Sequence, residues 1–114
     1  MTLAPSARPT LVLANVSVAG MSLGDVVAAA VSGGFDAISV LGRTRRRALR
    51  DGLTDADMRA MISDHGLLVT DVEAAADWLA APPTDAPAWM DPIYGSEDFV
   101  DIADHLGATT LVAV

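Results

Sequence analysis

The sequence predicts an α/β fold in which parallel strands alternate with helices in the order β-α-β-α-β-α-β. Three observations carry this. Four short runs, "LVLANVSV" (11–18), "DAISVL" (36–41), "LLVTDV" (67–72) and "TTLVAV" (109–114), are apolar at most positions, as strands covered on both faces are. The stretches between them place apolar residues at i, i+3, i+4 and i+7, the period of a helix with one buried stripe. A glycine closes each helical stretch and an apolar run follows it, so the unit helix–Gly–strand recurs.

Taken in order, "MTLAPSARPT" (1–10) is expected to be a flexible segment ahead of the first strand. It lacks the continuous apolar stretch of a secretory signal. The first helix follows Ser22, with Leu23, Val26, Val27, Ala30 and Val31 as its stripe and Gly33–Gly34 as its end. Ser22 with Asp25, and Thr54 with Asp57, pair an N-cap with an acid three residues on, close to a capping box. "LGRTRRRALRDG" (41–52) reads as a loop with a short helical turn. The second helix then starts after Thr54, carries Met58, Met61, Ile62 and His65 on its stripe, and stops at Gly66. Ser96, Glu97 and Asp98 open the third, where acids suit the positive end of the helix dipole. Its stripe is Phe99, Ile102, Ala103 and Leu106, and Gly107 ends it.

All 114 residues fit one domain, and 52% apolar content is enough for a core. No apolar run reaches the roughly 20 residues of a spanning helix. There is no cysteine, hence no disulfide, thiolate metal site or cysteine nucleophile. A cytoplasmic protein is the expectation. Five of the seven arginines lie between Arg43 and Arg50, yet the net charge is −8 and there is no lysine. A phosphate backbone would meet an acidic surface almost everywhere else, so nucleic acid is disfavoured as a partner.

Parallel strands with helical crossovers fit an open doubly wound sheet or part of a (β/α)8 barrel. The first strand-to-helix turn, "NVSVAGMSLGD", lacks the GxGxxG phosphate fingerprint, which weakens the dinucleotide-binding form. A complete barrel takes about 250 residues. The chain therefore reads as about half of a TIM barrel.

Three segments carry a resemblance. "NVSVAGMSLGDVVAAAVSGGFDAISVLGR", "GLTDADMRAMISDHGLLVTDVEAAADWL" and "DFVDIADHLGATTLVAV" together resemble the sugar phosphate isomerase/epimerase family of the xylose-isomerase-like TIM-barrel superfamily. The similarity runs from about Leu11 to Val114 and covers the N-terminal half of that family's barrel. It implies an isomerase or epimerase acting on a sugar or polyol. It also implies a divalent metal (Mn, Mg, Zn or Co) in an intact member, held by carboxylates and a histidine from later strands. No residue of this sequence is assigned as a metal ligand or as catalytic. The half-barrel is expected to be inactive alone, with a complementing C-terminal half or a second copy as partner. The alternative is a non-catalytic half-barrel that binds a small ligand or self-associates. Endonuclease IV relatives place metal histidines at early strand ends, and this chain has none there.

In barrels and doubly wound sheets alike, ligands meet the carboxyl ends of the strands. Four residues become substrate-binding candidates on that rule. Asn15, read as lying near the end of the first strand, suits a substrate hydroxyl, or else satisfies neighbouring backbone. Arg43 follows the second strand and suits a phosphate or carboxylate through a bidentate guanidinium. Glu73, read as starting a loop, matches the family's "VEA" segment and suits sugar hydroxyls or proton transfer. Asp71 shares its strand face. Trp78 lies in a long segment (74–95) with four prolines, Trp89 and Tyr94, which is either an apolar lid or a sealed rim. His65 and His105 sit near helix ends and are poor ligand candidates.

Overall fold

The computed structural model describes residues 9–75 and 96–113. The elements are β1 (Val12–Leu13), a 3-10 turn (Asn15–Val18), α1 (Leu23–Ser32), β2 (Ala37–Leu41), α2 (Gly42–Arg50), α3 (Asp55–Asp64), β3 (Leu68–Ala75), α4 (Ser96–Leu106) and β4 (Thr110–Ala113). The four strands form one sheet in the order β1-β2-β3-β4, and each neighbouring pair is parallel. The fold is thus α/β, a strand–helix repeat with its strands in sequential order. Among the described residues no helix is long and apolar enough to cross a membrane.

Right-handed crossovers between sequentially ordered parallel strands put the connecting helices on one side of the sheet. The packing agrees: α1 lies on β2, α3 and α4 lie on β3, and α1 touches α3, which touches α4. Ile38, Val40 and Val72 project into this layer and are fully buried with Val26, Ala30 and Met58. Ile62, Ile102 and Leu106 belong to the same core. Ala37, Ser39 and Leu41 alternate with Ile38 and Val40, so they point to the other face, and they too are buried.

A bulge decides which residues of β3 share that other face. Ile38 pairs with Val69, but Ser39 pairs with Asp71, so Thr70 is an extra residue between them. Val69 and Val72 are three apart, and a regular strand would send them to opposite faces. The inserted residue lets both pack on the helix layer. The same shift carries Asp71 and Glu73 together onto the face of Ser39 and Leu41.

Local chemistry sets the helix ends. Thr54 makes a complete capping box: its Oγ1 accepts from Asp57 N at 3.0 Å, and an Asp57 carboxylate oxygen accepts from Thr54 N at 2.9 Å. Ser22 makes only the first half, accepting from Asp25 N at 3.2 Å. Gly34, Gly66 and Gly107 follow the helices with φ of 74°, 73° and 76°, a left-handed conformation that a side chain disfavours.

Four expectations change. The first strand is much shorter than 11–18, because the chain turns into a 3-10 turn at Asn15. The arginine segment is a regular helix that begins directly after β2 and has exposed, water-facing positions at Arg47 and Arg50. Arginine, alanine and leucine are good helix formers, and propensity outweighs the charge density there. His65 is not on a buried stripe: it is exposed at the C-cap of α3, with Nδ1 2.7 Å from Met61 O. Val31 likewise lies at the edge of the α1 stripe and is 48% exposed.

Candidate functional site

Three strand ends deliver polar side chains to one place. Asn15 is fully buried and its bonds explain why the chain leaves β1. Its backbone N–H donates to Ser39 Oγ at 2.9 Å, and its Oδ1 accepts from Leu41 N at 2.8 Å. A residue bonded to β2 through its side chain in this way cannot also continue the ladder. Ser39 Oγ passes the connection on, donating to Glu73 Oε1 at 2.9 Å. The result is a hydrogen-bonded chain, Asn15 to Ser39 to Glu73, across the carboxyl ends of β1, β2 and β3.

The Leu41 bond also fixes how the Asn15 amide is oriented. A backbone N–H needs an acceptor, so the atom it meets is the oxygen and the other atom is the nitrogen. That nitrogen, Nδ2, is buried and has no partner among the described residues. Most buried side-chain polar atoms are paired, and one left without a partner calls for an explanation. The arrangement therefore presents two unspent hydrogen-bonding functions: the Asn15 N–H donors, and the second carboxylate oxygen of Glu73, a half-buried residue.

Two sequence candidates are thus brought together, although neither is placed as expected. Asn15 belongs to the 3-10 turn and not to the first strand. Glu73 lies within β3, paired with Leu41, and does not begin a loop; the ladder to β4 holds that stretch extended. Asp71 shares the face of Glu73, and its Oδ1 accepts from Thr70 Oγ1 at 2.7 Å. Arg43 is half-buried in the first turn of α2, next to the end of β2. Trp78 lies outside the described residues, as do Trp89 and Tyr94.

Sequence reasoning missed Ser39 and Thr44. Both are 2% exposed. Ser39 left a signal: it is the single hydroxyl inside an otherwise apolar run, and a serine in a strand buried on both faces requires a partner. Thr44 left none, since it lies among the arginines.

The other ionisable cluster is structural. Arg45 grips Asp55 with two bonds, Nε to Oδ1 and Nη2 to Oδ2, both 2.7 Å, tying α2 to the start of α3. His105 Nδ1 from α4 stands 3.5 Å from Asp55 Oδ2. The hydrogen bond from the Arg45 guanidinium holds the Asp55 carboxyl below its ordinary value of 3.8; partial burial opposes this, and the charges of Arg45 and His105 add to the lowering. A carboxylate depressed in the folded state contributes stability that is fully present above 3.8 and lost as pH falls through the folded value. Acid titration of unfolding should therefore show stability declining below about pH 4, with a shallower decline in Asp55→Asn. Equal slopes in the two proteins would show that the bidentate pair does not form.

Among the described residues, no three His, Asp or Glu side chains are grouped to hold a metal ion. Asp71 and Glu73 each give one oxygen to a hydroxyl, of Thr70 and Ser39, and no third ligand joins them among the described residues. These residues do not by themselves fit a divalent metal. Comparison of the chain with models of known protein families and with curated proteins finds no match.

Proposed function

We propose that the chain is the N-terminal half of a sugar (phosphate) isomerase/epimerase-like TIM barrel, and that Asn15 and Glu73 hold a hydroxyl of a sugar or polyol. One observation carries the site: a buried amide donor without a partner among the described residues, joined through Ser39 to a carboxylate at the strand ends. A sugar hydroxyl both accepts and donates, so it can take an N–H from Asn15 Nδ2 while giving its own proton to Glu73. The barrel reading is supported by strand order. A doubly wound sheet reverses its order at a switch point, whereas here β1 to β4 follow in sequence with helices packed one on the next.

Within this reading the described residues bind and orient the substrate, and a metal would need ligands from other parts of the complete barrel. The test is a panel of ketoses and polyols offered to the longest natural chain containing this sequence. Calorimetric binding and metal-dependent epimerisation are measured. Hydrogen bonds to charged groups contribute about 1.5–3 kcal/mol, so Glu73→Gln should weaken the best neutral polyol by roughly tenfold to a hundredfold. Absence of both binding and turnover across the panel would refute the assignment.

A second reading, a ligand-binding half-barrel that self-associates, has its own observation. Apolar side chains are exposed toward both sheet edges: Leu11 (50%) and Val12 (37%) beside β1, and Val100 (58%) on α4. Val100 borders a depression shared with Ala103, Ala108 and Thr110. Sedimentation of this chain tests self-association directly: an apparent mass that does not change with concentration refutes it.

A further inference from the structure

The first turn of α2 gathers hydrogen-bonding groups that a sugar hydroxyl alone does not use. The helix has nine residues, and its N-cap, Leu41, supplies no side-chain oxygen. The first four N–H groups of a helix have no acceptor within it. Here that of Leu41 goes to Asn15 Oδ1, and those of Gly42 and Thr44 belong to the same turn. The partial positive charge of the helix dipole is concentrated at this end.

Two buried side chains stand at the same turn. Thr44 is 2% exposed, and its Oγ1 has no partner among the described residues. Side chains on a helix lean toward its N-terminus, so the hydroxyl of a third-position threonine stands over the first turn. A helical threonine can bond a carbonyl one turn back, and Thr44 makes no such bond. The second is Asn15, whose oxygen is already on Leu41 N, so its unpartnered nitrogen lies one amide width away from the helix terminus.

We propose that this turn is an oxyanion subsite: it binds a phosphate monoester or carboxylate carried by the same ligand whose hydroxyl meets Glu73. The proposal rests on the polyol reading for the hydroxyl, and on the α2 turn alone for the anion. An oxyanion offers several acceptor lone pairs with no proton to place. It can therefore take the Thr44 O–H, an Asn15 N–H and the backbone N–H groups together, and charge-assisted bonds of this kind are short and strong. A neutral hydroxyl accepts only two bonds and brings a proton of its own. The opposing element is Glu73, in register with Leu41 on the neighbouring strand. Its carboxylate repels an anion at the turn, so the two parts of the ligand must sit apart, hydroxyl toward β3 and anion toward α2. Glu73→Gln therefore acts in opposite directions on the two ligand classes. It weakens neutral polyols and tightens inorganic phosphate.

The test follows the backbone amides of Gly42, Arg43 and Thr44 and the side-chain amide of Asn15 by NMR. Inorganic phosphate, a neutral ketose, the phosphate ester of that ketose and a sugar acid of the same length are titrated separately. Phosphate is expected to shift these four signals saturably. Thr44→Val should weaken phosphate by about tenfold, the worth of one hydrogen bond, while Thr44→Ser retains the affinity and controls for folding. The phosphate ester and the sugar acid decide which oxyanion the turn prefers. Phosphate that leaves all four signals in place, or that binds Thr44→Val as well as the unaltered chain, overturns the subsite. Ketose binding without any phosphate effect overturns this inference and leaves the polyol reading standing. Phosphate binding without ketose binding overturns the polyol reading and leaves the anion turn standing, whereas an ester that fails to bind overturns the placement of both groups on one ligand.

Discussion

Ile38→Ala should lower the unfolding free energy by about 2–5 kcal/mol, the usual cost of truncating a buried isoleucine. Ile38 is fully buried in the central part of the sheet, with Leu13 and Val69 beside it in register and the helix layer above. A cavity walled by two strands and a helix layer collapses poorly, which places the cost toward the upper part of that range. Domains have only about 5–15 kcal/mol in total, so the loss is a large fraction of the fold. Urea titration should show a lower midpoint at an unchanged slope. Leu68→Ala is the control: that side chain is 67% exposed on the same sheet and should change stability by about 0.5 kcal/mol or less. Equal losses at the two positions would refute the assignment of Ile38 to the helix–sheet core.

Ser39→Ala is the second large effect, and it reaches both fold and site. Alanine is nearly the same size, so little cavity forms. What is lost is a hydroxyl that accepts from Asn15 N and donates to Glu73 Oε1. A buried N–H and a carboxylate oxygen are left without a partner, and each orphaned group costs about 1–3 kcal/mol. The Glu73 side chain also loses the bond that orients it. A double-mutant cycle with Glu73→Ala isolates the link: contacting residues show coupling of about 0.5–3 kcal/mol, whereas independent sites add. Additive losses in that cycle would mean that Ser39 and Glu73 do not share a bond. In the polyol reading, Ser39→Ala should weaken sugar binding alongside Glu73→Gln.

These two positions show how unevenly the sequence reveals the molecule. The core could be read directly. Ile38 and Val40 lie in an apolar run, and Met58, Ile62, Ile102 and Leu106 follow a helical period; the structure buries all six. The candidate site was only half legible. Asn15 and Glu73 were found because strand ends are where α/β folds place ligands, a rule that needs element order alone. Ser39, which joins them, was passed over as one more strand residue. The arginine segment drew attention by its charge, yet the buried polar atom there with no partner among the described residues is Thr44 Oγ1. Arg45, one of the five, is committed to Asp55.

The sequence by itself determined that strands alternate with the connecting helices α1, α3 and α4, and where those three helices stop. Those features are set by neighbours within a few residues: the Thr54–Asp57 box, and glycines that adopt positive φ at Gly34, Gly66 and Gly107. The tertiary structure decided which polar groups meet. Asn15 and Ser39 are 24 residues apart and Ser39 and Glu73 are 34 apart, so their bonds depend on strand register. That register turns on one extra residue, Thr70, inserted so that Val69 and Val72 can both face the helices. A one-residue shift exchanges the two faces of a strand. The burial of two valines therefore fixes where the Glu73 carboxylate points, a coupling that local pattern cannot show because it acts through the packing of the opposite face.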